Sequence, residues 1–333
     1  MLQQSRTEPI AATHGASPLI GVLTNRGSDR NRRSADKIAN LLERNPHIFH
    51  FELTDIADIP QALSMFADAR VSTLVINGGD GTVQAALSSL VNDRPFEIPP
   101  PIAVLPGGKT NMIAADLGMR GKPERQVKRL LKRMRRRRRA PKKVERNLIA
   151  LDMGDGAPPR LGMFFGTAGV VNGLLWCRRR VHPLDLPSWA AHLAALWLLI
   201  FAAIARQERS PLRSEPLTVH LDGGETMRGR YSIVLATTLD HLLFRLRPYG
   251  RTGPGALGFS AVEAGGGAMW RAFLALLAGR FSNGGVDGLH VRRTDHLEVE
   301  GNEPITLDGE IYHPVAGRPI RLTGEHRLTF LKL

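Results

Sequence analysis

Two short glycine-rich segments contain the residues best suited to chemistry. GGDGT at 78–82 follows a β-branched apolar run, and PGGKTN at 106–111 follows another apolar run. Glycine lets the backbone approach phosphate groups closely and direct N–H groups at them, and a following helix adds the positive end of its dipole. Either segment alone could be an ordinary turn between a strand and a helix. Two of them at the carboxyl edge of one sheet favour a nucleotide site.

Acidic residues lie in the first of these turns and in a turn near the C-terminus. Polyphosphate repels a carboxylate unless a cation or a transferable proton lies between them, so Asp80 indicates Mg²⁺ or a reacting hydroxyl. Glu310, just after Asp308-Gly309, could accept a proton from a hydroxyl. Taken alone, that string is more typical of a plain hairpin turn with an exposed acid. The P-loop pattern GxxxxGK[ST] and the dinucleotide pattern GxGxxG are both absent from the sequence.

The elements that must position these residues follow from the hydrophobic pattern. Apolar runs at 18–25, 47–54, 71–79 and 100–108 predict strands that alternate with helices, which is typical of a doubly wound, mostly parallel sheet. After Arg146 the pattern changes to strand-like pieces separated by turn signals, which predicts a mainly β second domain. The expected organisation is a disordered leader at 1–16, an α/β domain at 17–146 and a β-rich domain at 147–333.

Four segments resemble, in the same order, the diacylglycerol kinase catalytic family, which includes bacterial lipid kinases, sphingosine kinases and ceramide kinases. They are VLTNRGSDRNRR, INGGDGTVQ, LPGGKTNMIAADLG and PITLDGE. The resemblance implies a two-domain lipid kinase with a phosphofructokinase-like α/β domain and a C-terminal β-sandwich. ATP, with Mg²⁺, would lie in the cleft between the domains, and a lipid hydroxyl of diacylglycerol, ceramide or a sphingoid base would receive the phosphate.

The resemblance also implies roles for individual residues. Glu310 would accept the substrate proton, and Asp80 would lie nearby and contribute to the magnesium of the nucleotide. The residues that would hold the nucleotide are Asn25, Thr54, Gly78, Gly79, Asp80, Gly81, Thr82, Val83, Gln84, Gly107, Gly108, Lys109, Thr110 and Asn111.

This sequence departs from the family pattern at several positions. Ala85 stands where the family usually has glutamate, and Lys109 stands where it usually has threonine. Lys109 could reach a phosphate as a point charge or face solvent. The segment that holds a structural Mg²⁺ in some bacterial members corresponds here to LRPYGRTGPGALG, which contains no acid. The sequence therefore does not favour that second metal site.

The positive charge of the chain is local. The net charge is +14, of which residues 120–146 supply +13. Such a run could face solvent, bind nucleic acid or bind anionic lipid. Aromatic residues are absent from 97 to 163, which disfavours nucleic acid, and the apolar Leu130, Leu131 and Met134 among the basic residues favour a helix on a membrane surface. The arginines expected to contact an anionic membrane are Arg135, Arg136, Arg137, Arg138 and Arg139.

Two apolar segments in the second half leave their roles partly open. WAAHLAALWLLIFAAIA at 189–205 is short for a membrane span and could be a core helix, line a lipid groove or dip into the bilayer. The predicted helix at 267–281 has Trp270, Phe273, Leu274, Leu277 and Phe281 on one face, and we expect that face to pack in the core.

Composition limits the compartment and leaves two competing functions. The 43% hydrophobic content excludes general disorder, and the single Cys177 excludes an internal disulfide. We expect a cytoplasmic protein bound peripherally to the inner face of the membrane. An NAD kinase-like enzyme is one alternative, because such enzymes share the GGDGT turn. A non-catalytic relative that binds membrane or nucleic acid is the other. The sequence leaves the lipid and the oligomeric state open.

Overall fold

The strands of the computed structural model form two sheets, one of six strands and one of eleven. The predicted leader at 1–16, the arginines at 135–139 and the apolar segment at 189–205 lie outside the described part of the chain. The structure describes residues 19–134, 140–180, 216–242, 247, 249–250 and 253–333.

The first sheet is built mainly by the N-terminal half, and its strand order is β2-β1-β3-β4-β17-β5, where β17 is the last strand of the chain, Arg327–Lys332. Strands β1 to β4 are parallel, and each is followed by a helix, because apolar strands buried on both faces need helices to cover them. The predicted doubly wound α/β domain is confirmed. Its elements are β1 (Ile20–Asn25), α1 (Ala35–Glu43), β2 (Ile48–Leu53), α2 (Ile59–Asp68), β3 (Thr73–Gly78), α3 (Asp80–Asn92), β4 (Ile102–Pro106), α4 (Met112–Asp116), α5 (Pro123–Met134) and β5 (Lys142–Asn147).

The second sheet is antiparallel and forms the mainly β second domain that the turn-rich sequence predicted. Strand β10 links its two halves, since its first residues pair with β9 and its last residues pair with β8 and β11. The remaining elements are β6 (Ile149–Asp152), β7 (Arg160–Gly162), β8 (Phe164–Thr167), α6 (Gly169–Arg180), β9 (Pro216–Leu221), β10 (Thr226–Thr237), β11 (Leu257–Glu263), α7 (Gly266–Leu277), β12 (Leu289–Thr294), β13 (His296–Glu300), β14 (Ile305–Leu307), β15 (Glu310–Tyr312), β16 (Ile320–Thr323) and β17 (Arg327–Lys332).

The last strand of the chain returns to the first sheet. Strand β17 lies parallel to β4 and antiparallel to β5, and its Phe330 is fully buried beside Ile102. The domain boundary predicted from the sequence placed this strand in the β-rich half. A short apolar strand pattern carries no information about which sheet the strand joins, so this pairing could not be predicted.

The apolar residues of the basic segment pack inward. Leu130 is fully buried in the core of the first domain, and Leu131 and Met134 pack against that core. The expectation that they face a membrane is wrong, because α5 lies against the sheet and uses these side chains to do so. The adjacent arginines at 135–139 are outside the described residues.

Helix α7 is oriented differently from the prediction. Its buried face consists of the small or flexible Ala268, Met269, Ala272 and Ala275, which lets the helix lie close to β11 and β12. Of the predicted core residues, Phe281 is buried, whereas the large side chains at 270, 274 and 277 are exposed. Among the described residues, the structure has no helix of the length and apolarity that a bilayer crossing requires.

Candidate active site

The two glycine-rich turns meet at the carboxyl edge of the first sheet. They follow the neighbouring parallel strands β3 and β4, and the N–H of Gly107 donates to the carbonyl of Gly78 at 3.0 Å. A Cβ on Gly108 would lie 2.6 Å from the Cα of Gly79. Glycine is therefore required at 108 by the close approach of two backbones rather than by a special dihedral angle.

Asn111 closes the second turn. It adopts the left-handed conformation with φ of 54°, which asparagine tolerates better than most residues. Its Oδ1 accepts from the N–H of Gly108 at 2.7 Å, and its Nδ2 donates to the carbonyl of the same residue at 2.5 Å. This pair of bonds fixes the turn at the start of α4.

The loop after β1 covers both turns. Asn25 donates to the hydroxyl of Thr82 at 2.9 Å, and the Nδ2 of Asn31 donates to the carbonyls of Asn25 and Asn77 at 2.9 and 3.0 Å. The hydroxyl of Ser28 accepts from the N–H of Gly79 at 3.2 Å. Sequence reasoning identified Asn25 but missed residues 28 and 31, which carry no motif signal of their own.

Asp80 is the first residue of α3 and points toward the start of α4. Its Oδ2 accepts from the N–H of Met112 at 3.4 Å. Burial raises the pKa of Asp80 to about 6, and the backbone N–H groups of Asn111, Met112 and Ile113 oppose that rise by favouring the carboxylate. Asp80 is therefore a half-buried acid whose pKa is raised toward neutral pH.

A second buried acid, Asp308, comes from the C-terminal domain. Its carboxylate accepts from the N–H groups of Met163, at 3.1 and 3.2 Å, and Phe164, at 2.9 Å. Burial first, and then the nearby charge of Asp80, raise the pKa of Asp308 well above its ordinary range. A Cβ on Gly162 would lie 2.5 Å from the Asp308 carboxylate, so this cradle also needs glycine.

Glu310 brings the second domain against the first turn. Its Oε1 lies 2.7 Å from the position that a Cβ on Gly81 would occupy. Two residues later, the hydroxyl of Tyr312 donates to the Oε1 of Gln84 at 3.0 Å, and the guanidinium of Arg160 lies 4.9 Å from the centre of the Tyr312 ring. The three acids at 80, 308 and 310 thus gather where the two domains meet.

The predicted nucleotide residues lie in different surroundings. The turn residues and Asn25 come together as expected, whereas the side chain of Val83 packs in the core, so it can offer a ligand only its backbone. Thr54 lies just after β2, where its N–H donates to Asp58 at 3.2 Å. Lys109 is half exposed and lies 3.8 Å from Asp29.

With two glycine turns, a buried aspartate and a facing glutamate in one cleft, comparison with known families becomes informative. Residues 20–140 match the diacylglycerol kinase catalytic domain. The resemblance drawn from the motifs is confirmed for this part of the chain. The LDGE turn that carries Glu310 lies outside the matched residues. No curated protein matches the chain.

Solved structures extend the likeness in fold to nearly the whole chain. A proposed diacylglycerol kinase from Bacillus anthracis is 16% identical, with a TM-score of 0.65 over 95% of this chain and 97% of the other. Another structure, named a diacylglycerol kinase from the same organism, is 14% identical, with a TM-score of 0.57 over the same shares. At these identities the likeness concerns the fold. The likeness covers both the α/β domain and the β-rich domain.

Proposed function

We propose that this protein is an ATP-dependent lipid kinase that transfers the γ-phosphate to a hydroxyl of a membrane lipid of the diacylglycerol, ceramide or sphingoid-base type. The observation that carries the proposal is the contact of Glu310 with the first turn of α3, beside the buried Asp80. A nucleophilic hydroxyl needs a proton acceptor close to the phosphate that it attacks. Glu310 would act from the opposite domain as that acceptor, and its closeness to Gly81 supports this role.

The acids of the cleft fit a magnesium ion carried by the nucleotide. The charge of Asp80 raises the cost of ionising Asp308, which a divalent cation would offset, and Mg²⁺ prefers carboxylate and phosphate oxygens. Within the described residues, the one set of three ligand atoms that all lie within 4.8 Å is His220, Glu298 and Glu300, outside the cleft. Asp80 would hold the ion together with phosphate oxygens, and Asp308 lies close enough to Asp80 for the two charges to interact. The ion would neutralise charge on the transferred phosphate.

The glycine turns would hold the phosphates of ATP. The N–H of Gly79 is now bonded to the hydroxyl of Ser28, which a phosphate oxygen can replace. Asn25 and the residues of the two turns would line the nucleotide, with Thr54 toward the base. Lys109 would exchange its ion pair with Asp29 for a phosphate.

The lipid substrate and the positive charge of the chain agree with a peripheral membrane location. Residues 120–146 carry a net charge of +13, which anionic lipid attracts at about 1 kcal/mol for each basic residue near the surface. We propose that Arg135 to Arg139 contact the inner face of the membrane and that the protein acts from the cytoplasm.

Labelled ATP, Mg²⁺ and a panel of lipid alcohols in detergent micelles test the proposal. We expect label in at least one lipid, and a fall in rate of about 10²–10⁴ in the Glu310→Gln variant, which keeps the size but removes the base. Glu325→Gln is the matched control, because Glu325 precedes β17 and lies at the edge of the first sheet opposite the glycine turns.

Other outcomes would point elsewhere. Label in NAD instead of lipid would favour an NAD kinase-like enzyme. Label in neither acceptor, with ATP still bound, would favour a non-catalytic relative. If the Glu310→Gln variant kept full lipid activity, Glu310 would have no catalytic role and the LDGE turn would be a plain hairpin.

A further inference from the structure

Helix α7 carries an apolar stripe on its outer face. The exposed fractions of Trp270, Leu274 and Leu277 are 44%, 46% and 66%. Their spacing of four and three residues places them on one side of the helix. The Phe273 ring lies beside the stripe, 5.6 Å from the ring of Trp270. We call these four residues the α7 stripe.

The α7 stripe differs from the scattered apolar residues that every protein surface has. Single exposed hydrophobic side chains are normal, whereas a contiguous patch marks an interaction surface. In the described part of the chain, seven large hydrophobic side chains are exposed, and three of them belong to this one helix. The opposite face of α7 is already packed on β11 and β12, so the stripe contributes nothing to the core.

The charges around α7 are mainly positive. Arg271 and Arg280 are exposed on the helix and at its C-terminal end, and Arg230 is exposed where its carbonyl accepts from Ala264, just before the helix. The two nearby acids already have partners. Asp287 pairs with Arg271 at 2.8 Å, and Glu263 lies 2.9 Å from His290. Arginines therefore flank the apolar stripe, and the acids Asp287 and Glu263 beside it are already paired with basic side chains.

We propose that the α7 stripe inserts into the interfacial region of an anionic lipid bilayer, with the flanking arginines on the headgroups. Tryptophan and leucine on one helix face with basic residues beside them are the composition of helices that lie in a membrane surface. A second copy of the chain fits less well, because pairing the stripe with itself would bring the arginines of both copies together. The inference rests on the proposed function, since a lipid kinase must meet its substrate at a bilayer.

Vesicle co-sedimentation of the full chain without ATP tests the surface separately from catalysis. The probes are vesicles of phosphatidylcholine alone and of phosphatidylcholine with phosphatidylglycerol. We expect Trp270→Ser, Leu274→Ser and Leu277→Ser together to lower the binding constant by about a hundredfold or more, because three apolar side chains lose their burial. Ile98→Ser is the matched control, since Ile98 is 82% exposed but belongs to a loop of the other domain. It should bind like the unmodified chain.

The flanking charges give a second measurement. Arg230→Glu with Arg280→Glu should weaken binding to the anionic vesicles at least tenfold and change binding to neutral vesicles little. Leu277→Ser alone changes the most exposed side chain of the stripe and should disturb folding least. If the triple variant does not fold, this single variant is measured in its place and should also bind anionic vesicles more weakly.

Three results would overturn the inference. One is unchanged binding of the triple variant to anionic vesicles. Another is a loss as large in Ile98→Ser. The third is a dimer of the unmodified chain that the triple variant converts to a monomer, which would assign the stripe to a second copy. Activity on detergent-dispersed lipid should survive the triple substitution. If the unmodified chain binds vesicles through the stripe yet phosphorylates no lipid, the proposed function fails and the surface stands.

Discussion

Replacing Asp80 with asparagine should make the protein more stable at neutral pH while it abolishes phosphoryl transfer. Burial raises the pKa of Asp80 from 3.8 to about 6 in the folded chain. Between these values the folded chain binds the proton more tightly than the unfolded chain, so the free energy of unfolding falls as pH rises from about 4 to about 6. The rise in pKa from 3.8 to about 6 corresponds to a loss of about 3 kcal/mol in the free energy of unfolding at pH 7.

The asparagine side chain of the Asp80→Asn variant would keep an oxygen for the N–H of Met112 but carry no charge. Because part of the Asp80 surface reaches the cleft, solvent reduces the cost of its charge, and we expect a gain of about 1–3 kcal/mol at pH 7. Urea unfolding of both chains, with EDTA and without nucleotide, measures it. The gain should shrink as pH falls and vanish below about pH 4, where Asp80 is protonated in both states.

Activity and a control variant complete the test. The Asp80→Asn variant should retain less than about a tenth of the activity, equivalent to a barrier at least about 1.4 kcal/mol higher. Asp68→Asn, at the exposed end of α2, has no burial cost to remove and should change stability little at any pH. A loss of stability at pH 7 in Asp80→Asn, or a gain that does not depend on pH, would refute the reasoning.

Three further predictions concern the cleft. Gly81→Ala should lower kcat at least about tenfold at unchanged stability, because the new Cβ displaces the Glu310 carboxylate. When Gly81→Ala is added to the Glu310→Gln variant, steady-state kinetics should show little further loss of kcat. A further loss as large as in the unmodified chain would contradict the contact between Gly81 and Glu310. Lys109→Ala should raise the KM for ATP more than it lowers kcat, and an ATP titration that shows no change would leave Lys109 facing solvent. Tyr312→Phe should lower kcat about three- to tenfold with the KM for ATP unchanged, because it removes the hydrogen bond to Gln84. A KM that rises with no change in kcat would assign Tyr312 to nucleotide binding.

The first half of the cleft could be predicted because its chemistry is local in sequence. A strand, a glycine turn and a helix start within a few residues of one another, so GGDGT at 78–82 and PGGKTN at 106–111 indicate both the fold and the site. Parallel neighbours then bring the two turns together without further information.

The second half depends on contacts between residues far apart in the chain. The cradle of Asp308 is formed by Met163 and Phe164, 145 and 144 residues earlier. Every residue except proline has such a backbone N–H, so the local sequence gives no sign that these two bind a carboxylate. The face of α7 was mispredicted for a related reason. Periodicity identifies the face of a helix that carries large apolar residues. It cannot tell that the opposite face, with small residues such as Ala268 and Ala272, is the one that packs on the sheet.

Helix α3 connects these two halves. Asp80, Gln84, Ser88 and Asn92 recur every four residues and share one face of the helix. The first faces the cleft, and the other three bond to the second domain: Gln84 accepts from Tyr312, Ser88 accepts from the N–H of Leu161 at 2.9 Å, and Asn92 donates to the carbonyl of Pro159 at 2.9 Å. The helix that begins with the first glycine turn is thus also the surface on which the second domain docks. In the proposed function, this one helix would set the distance between Glu310 and a nucleotide held by the glycine turns.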